Sequence, residues 1–262
     1  MSNDLLNYVP NENYLKDRVI LVTGAGAGLG AAVAKAYARF GATVILLGKI
    51  TGELEKIYDE IVAAGSPEPV IHPLDLEGAH GGHYEEMVDS IIENFGRLDG
   101  VVVNAGHLPT FTSFKQYEPE LWGKVTMSNL TANYLLLRAC LPALEKAEDP
   151  AIIFSSHKSN KAYFGAFGVA KGGLDSMCDI LADEYDTDEN FIRVNRIDSG
   201  PIRTQMRTLN FPGQNPNTMA RPEAVLGPYL YFIGPDAGKR TAENLVFERL
   251  DADATWAGET IS

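Results

Sequence analysis

Residues 19–30 read Val19-Ile-Leu-Val-Thr23-Gly24-Ala-Gly26-Ala-Gly28-Leu29-Gly30. The first five residues form a short apolar run that reads as a buried strand, and the alanine-rich segment after Gly30 reads as a helix. Between them, Gly24 permits a tight turn, and Gly26 and Gly28 let backbone approach a ligand with no Cβ in the way. Gly30 lets the helix pack closely on the sheet. The first N–H groups of a helix lack partners and, with its dipole, favour an anion. This strand–turn–helix stretch, including Leu29, predicts a pyrophosphate cradle in a dinucleotide site.

Beyond this stretch, apolar runs alternate with amphipathic ones. Strands are expected over 19–23, 43–47, 69–73, 98–103, 151–155, 191–197 and 245–247. Helices are expected over 29–40, 52–64, 82–95, 118–147 and 221–233, and Leu174, Met177, Leu181 and Tyr185 mark a further apolar stripe at helical spacing. Such alternation implies right-handed βαβ units: an α/β, Rossmann-type doubly wound domain with a parallel sheet of about seven strands and helices on both faces. We expect one domain over 1–262, with an N-terminal extension at 1–16 and a substrate lid at 203–220, where Pro212 and Pro216 interrupt the pattern. No internal repeat or low-complexity tract is present. Ligands in such sheets bind beyond the carboxyl ends of the strands, which points to 24–30, 48–50, 75–76, 104–109, 156–163 and 198–206.

Composition narrows the partners. The net charge of −13 disfavours nucleic acid and anionic membranes, and 45% apolar residues suit a folded core. No apolar run is long enough to span a bilayer, and the N-terminus lacks a basic region followed by an apolar run, so we expect a cytoplasmic protein. Cys140 and Cys178 read as buried residues of helices. His80 and His83 are three apart, but no carboxylate–histidine pattern supports them, and no metal site is expected.

After the second strand, an acidic residue would select NAD by binding the ribose hydroxyls. Here Gly48-Lys49 stands in that place, and Lys49 suits a 2′-phosphate. NADP is therefore expected, with NAD the alternative, since the glycine loop holds no basic residue.

Taken in order, these segments make the chain similar to the short-chain dehydrogenase/reductase family from about Lys16 to Phe247. Thr23-Gly24-x-x-x-Gly28-x-Gly30 resembles its cofactor motif, Asp75-Leu76 its adenine contact and Asn104-Ala105-Gly106 its segment after the fourth strand. Asn129 resembles the asparagine of its catalytic tetrad, and Ser155-Ser156 its serine segment. Residues 193–204, with Gly200, Ile202 and Thr204, resemble the segment flanking the nicotinamide. The resemblance implies that Lys171 holds the nicotinamide ribose, that Ser156 orients a carbonyl and that Asn129 supports a proton path.

Three positions depart from the family. Its Tyr-x-x-x-Lys signature is here Phe167-Gly-Val-Ala-Lys171, so the ring is kept and its transferable proton is gone. Ser156 stands closer to the ring position than is usual, and Ser199-Gly200 replaces Pro-Gly. A positioned acid–base group contributes ~10²–10⁴-fold, so the familiar mechanism is impaired. Other proton sources are His107 and His157 in neighbouring loops, Tyr163 if it shares a helix face with Phe167, and water near Asn129 and Lys171.

Two functions follow. One is an NAD(P)-dependent oxidoreductase interconverting a carbonyl and an alcohol on a small molecule. The other is a binding protein that keeps the dinucleotide site for stability, sensing or assembly. Tyr117, Trp122 and Phe211 are candidates to line an apolar substrate pocket or to pack. By the same resemblance, the helices around 119–146 and 163–185 would form a homodimer or homotetramer.

Overall fold

Seven parallel strands form one sheet in the computed structural model, which describes residues 2–260. In chain order these are β1 (Val19–Thr23), β2 (Thr43–Gly48), β3 (Val70–Pro73), β4 (Gly100–Val103), β5 (Ala151–Ser156), β6 (Arg193–Asp198) and β7 (Asn244–Val246). Their spatial order is β3-β2-β1-β4-β5-β6-β7, so the direction of winding reverses beside β1. A crevice opens beyond the strand ends at such a reversal.

Alternation along the strands explains why they read as unbroken apolar runs. Ile20, Val22, Val44, Leu46, Val102 and Ile153 face one core. Val19, Leu21, Ile45, Leu47, Val101, Val103 and Ile152 face another. Both faces are covered, so no position needs to be polar. Each fully buried aliphatic side chain contributes about 1.5–3 kcal/mol.

The first core is closed by α2 (Gly28–Arg39), α3 (Thr51–Ala63) and α9 (Leu226–Ile233). The second is closed by α4 (Gly81–Phe95), α6 (Ala132–Leu144) and α7 (Gly165–Glu184). Buried Ala31, Ala32, Ala34, Ala36 and Ala38 let α2 sit close to the sheet. Cys140 and Cys178 are buried and free, and burial pushes both thiols up to about 12. The imidazoles of His80 and His83 stack at the start of α4, 3.8 Å apart.

Ahead of the sheet, α1 (Ser2–Leu6) lies against α9, where Leu5 O would be 2.1 Å from a Cβ on Gly227. Tyr14 Oη accepts the Asp236 N–H, and Trp256 Nε1 donates to Tyr8 O, so Tyr8 and Tyr14 tie the stretch before β1 to residues 236 and 256. No helix of the described residues is long and apolar enough to cross a membrane.

Two sequence expectations need correction. The single helix over 118–147 is broken into α5 (Pro119–Thr126), a π turn (Met127–Thr131) and α6. In that turn Asn129 Nδ2 donates to Val125 O, and Asn133 Nδ2 donates to Asn129 O. Side-chain amides thus take up carbonyls that a widened turn leaves over. The irregular segment 203–220 contains a short helix, α8 (Gln205–Asn210), whose start is capped by Thr204 Oγ1 accepting the Arg207 N–H.

Candidate active site

The loop after β1 is built around three glycines, two in the left-handed region and one with no space for a side chain. Gly24 has φ +67, and a Cβ there would lie 3.1 Å from both Ala105 Cα and Asn104 Nδ2. At Gly30 a Cβ would fall 2.2 Å from Gly24 O, which explains the close seat of α2. Gly28 has φ +55, and its Cβ would reach to 3.2 Å from Thr204 Cγ2 across the mouth of a cavity. Bare backbone at these positions keeps the loop after β1 open toward the cavity. Thr23 fixes the adjoining loop: its Oγ1 accepts the N–H groups of Asn104 and Ala105, and Asn104 Nδ2 donates to Thr23 O.

This cavity has a volume of about 780 Å³ and runs along the strand ends from β3 to β6. Gly24, Gly26, Gly28 and Leu29 line it, as do Asn104, Ala105, Gly106, Gly200, Ile202 and Thr204. Gly30 lies behind the wall, packed as described. At the β2–β3 end are Lys49, Asp75 and Leu76. Lys49 Nζ is 2.8 Å from Asp75 Oδ2, and the pair raises the pKa of the lysine and lowers that of the carboxyl. The two residues expected to meet the adenosine half of a dinucleotide are therefore already bonded to each other.

At the other end, Asn129, Phe167 and Lys171 converge on Gly106. A Cβ on Gly106 would lie 3.3 Å from Asn129 Oδ1, 3.8 Å from Phe167 Cε2 and 3.9 Å from Lys171 Nζ. Asn129 clamps the neighbouring backbone: its Oδ1 accepts the His107 N–H and its Nδ2 donates to His107 O. Phe167 is buried, with its ring centre 5.9 Å from Lys171 Nζ. Lys171, also buried, donates to Ser155 O at 2.9 Å. Burial moves its ammonium down to about 8, against the opposing pull of Asp175 and Asp198. Ser156 lines the cavity, and its hydroxyl donates to Asp175 Oδ1 at 2.6 Å.

This sequence matches the family described as short chain dehydrogenase over residues 18–215. The chain belongs to that family. It is 35% identical over 239 residues to an Escherichia coli protein described as the uncharacterized oxidoreductase YciK, covering 90% of this chain and 94% of the relative. A Pseudomonas syringae structure is 39% identical with a TM-score of 0.88, covering 91% of this chain and 98% of that one. A Shigella flexneri structure in complex with NADP is 34% identical with a TM-score of 0.86, covering 90% and 99%.

Within this short chain dehydrogenase, His107 and His157 both border the cavity. His157 Nδ1 is 2.7 Å from Ser159 Oγ, and burial lowers the pKa of the ring. Tyr163 is elsewhere: it precedes α7, is exposed and has φ +73, so it shares no helix face with Phe167. Phe211 lines the cavity, whereas Tyr117 and Trp122 pack against each other in the apolar cluster beneath it.

Three further residues of this dehydrogenase escape sequence reasoning. Asp198 ends β6, accepts the N–H groups of Lys158 and Gly200, and acts on both His157 and Lys171. Asp175 follows Lys171 by one helical turn and holds Ser156. Arg207 faces the cavity from α8. The strand-end rule covers Asp198, and helical spacing from Lys171 covers Asp175, so both carried a signal.

Proposed function

We propose that this chain is an NADP-dependent oxidoreductase that interconverts a carbonyl and an alcohol on a small molecule. One observation carries the reading: a single cavity joins the glycine cradle to Phe167 and Lys171, with Asn129 buried behind Gly106 in its wall. Lys49 at its far end and the NADP held by the related Shigella chain support NADP over NAD. A bound nicotinamide supplies the hydride.

The protein's own residues then handle the proton. Phe167 has none to give. Lys171 Nζ carries one at a pKa of about 8, close to the working pH of a general acid. His157 is a poorer source, because burial lowers the pKa of its ring. Asn129 keeps the 106–107 backbone in place beside the lysine. Exposed Val169 and Ile180 on α7 and Tyr134 on α6 offer apolar surface for assembly as a homo-oligomer.

The test is a fluorescence titration with NADPH and NADH, followed by turnover of a carbonyl panel. NADPH should bind more tightly than NADH, Lys49→Ala should weaken NADPH selectively, and carbonyls should be reduced. Binding without turnover would favour the dinucleotide-binding protein instead. Failure to bind either nucleotide sinks both readings.

A further inference from the structure

The charged residues that line the cavity are unevenly placed. Its acidic wall residues, Glu53, Asp75 and Glu77, all lie at the β2–β3 end. The opposite end is walled by Lys171 and Arg207; Asp175 and Asp198 stand behind Lys171 and act on it, whereas no carboxylate lining the cavity stands at that end and none acts on Arg207. Such an arrangement is unexpected in a chain with 35 acidic and 22 basic residues, where an acid is the commoner neighbour.

Arg207 is the arginine that lines the cavity, and like Arg203 it forms no ion pair among the described residues. Arg18, Arg97, Arg193, Arg196 and Arg240 each form an ion pair with an aspartate or glutamate. The Arg207 guanidinium carbon lies 3.7 Å from the Phe211 ring centre, and its Nε donates to Gln214 Oε1 at 3.0 Å. Stacking and one hydrogen bond fix the plane, so the group is preorganised for a bidentate anion. Burial lowers its pKa, yet the group stays cationic throughout the ordinary range.

A row of rings connects this arginine to the reaction centre. Phe211 meets Phe111 at 5.0 Å, Phe111 meets Phe164 at 4.9 Å, and Phe164 meets Phe167 at 6.4 Å. We infer that the substrate is an apolar or aromatic carbonyl compound carrying an anionic group such as a carboxylate, which Arg207 receives while the carbonyl lies beside Lys171. This rests on the oxidoreductase reading above for the carbonyl, and on Arg207 alone for the anion. The diphosphate of a dinucleotide offers the same oxygen chemistry. The phenylalanine row, which leads from Arg207 to Phe167, favours the substrate.

The experiment uses the whole protein with NADPH and matched aldehydes, aryl and alkyl, each as a terminal carboxylate and as its methyl ester. Wild type should prefer the carboxylates by at least about tenfold in kcat/KM, chiefly through KM, which corresponds to about 1.4 kcal/mol. Arg207→Gln should bring that ratio close to one, and Arg207→Lys should restore part of it. NADPH affinity, followed by fluorescence, should change less than about twofold in Arg207→Gln. Calorimetry with benzoate and benzamide in the presence of NADP reads the anion site without turnover. Should Arg207 govern benzoate binding while no carbonyl is reduced, the anion inference stands and the oxidoreductase reading fails. Should carboxylates and esters be reduced equally by wild type, the anion inference fails and the oxidoreductase reading stands. Should Arg207→Gln weaken NADPH tenfold and leave the carboxylate preference intact, the arginine serves the cofactor and the inference is overturned.

Discussion

Phe167 keeps an aromatic ring beside a buried ammonium and lacks only the oxygen that would make it an acid. Phe167→Tyr adds that oxygen at small steric cost if it projects into the cavity that the ring already lines. The neighbouring Lys171 ammonium would favour phenolate and draw its pKa toward the working range. Carbonyl reduction, followed by loss of NADPH absorbance, should rise by ~10² or more. A folded variant that binds NADPH and gains nothing would mean that Ser156, bonded to Asp175, leaves the substrate oxygen out of reach of residue 167. Residues of this kind differ in how far a sequence discloses them. Gly24, Gly28, Gly30, Asn129, Phe167 and Lys171 stand in local patterns whose spacing carries their meaning. The Lys49–Asp75 and Ser156–Asp175 bonds join side chains from different elements, so no local pattern announces them. Arg207 was hidden for another reason: a helix of six residues in a proline-bearing segment shows too little periodicity to reveal which way its side chains face.

At the scale of the element, the glycine turn and its helix make the sharpest demand. A methyl at Gly30 would stand 2.2 Å from Gly24 O and 2.7 Å from Asn104 Nδ2, and neither backbone nor the bonded amide has room to retreat. Gly30→Ala should therefore cost about 1–3 kcal/mol from overpacking, a fall of very roughly 2–12 °C in Tm for a chain of this size. NADPH affinity should fall with it, since the shifted atom belongs to the cradle. Gly123→Ala is the control: its Cβ meets nothing within 4 Å in the interior of α5, and helix propensity should make it neutral or stabilising by up to about 1 kcal/mol. Equal melting temperatures for the two variants would contradict the close seat of α2. The strands and most helices were legible because burial on one or both faces writes itself into apolar spacing. The break at Met127–Thr131 was not. There Asn129 bonds to the backbone of His107, 22 residues away, a partner that local spacing does not announce.

For the molecule as a whole, the parallel sheet was readable from alternation, but β3 and β7 lie at its edges, are short and are partly exposed, so their ends were the least defined. The sheet also carries a cost that no pattern displays: it encloses a charge. Lys171 is buried between the ends of β4 and β5, and burial sets its pKa at about 8 against an ordinary 10.5. Between those two values the unfolded chain holds a proton that the folded chain has released, so stability rises with pH across that window. Below about pH 8 the charged form is buried and its full penalty is present. The difference is on the order of 3 kcal/mol. Lys171→Met removes the titrating group while keeping an unbranched stem in the same space, at the loss of the hydrogen bond to Ser155 O. Other groups titrate at high pH, including Tyr37 and Tyr229, whose burial raises them, but these are common to both proteins and cancel in the comparison. Urea unfolding of wild type and Lys171→Met from pH 7 to pH 10.5 should show wild type gaining on the variant by that amount, with the gain concentrated above pH 8. A difference that stays flat across the window would mean that the ammonium is hydrated in the native state, and Lys171 would then be too strongly basic to serve as the proton source beside Phe167.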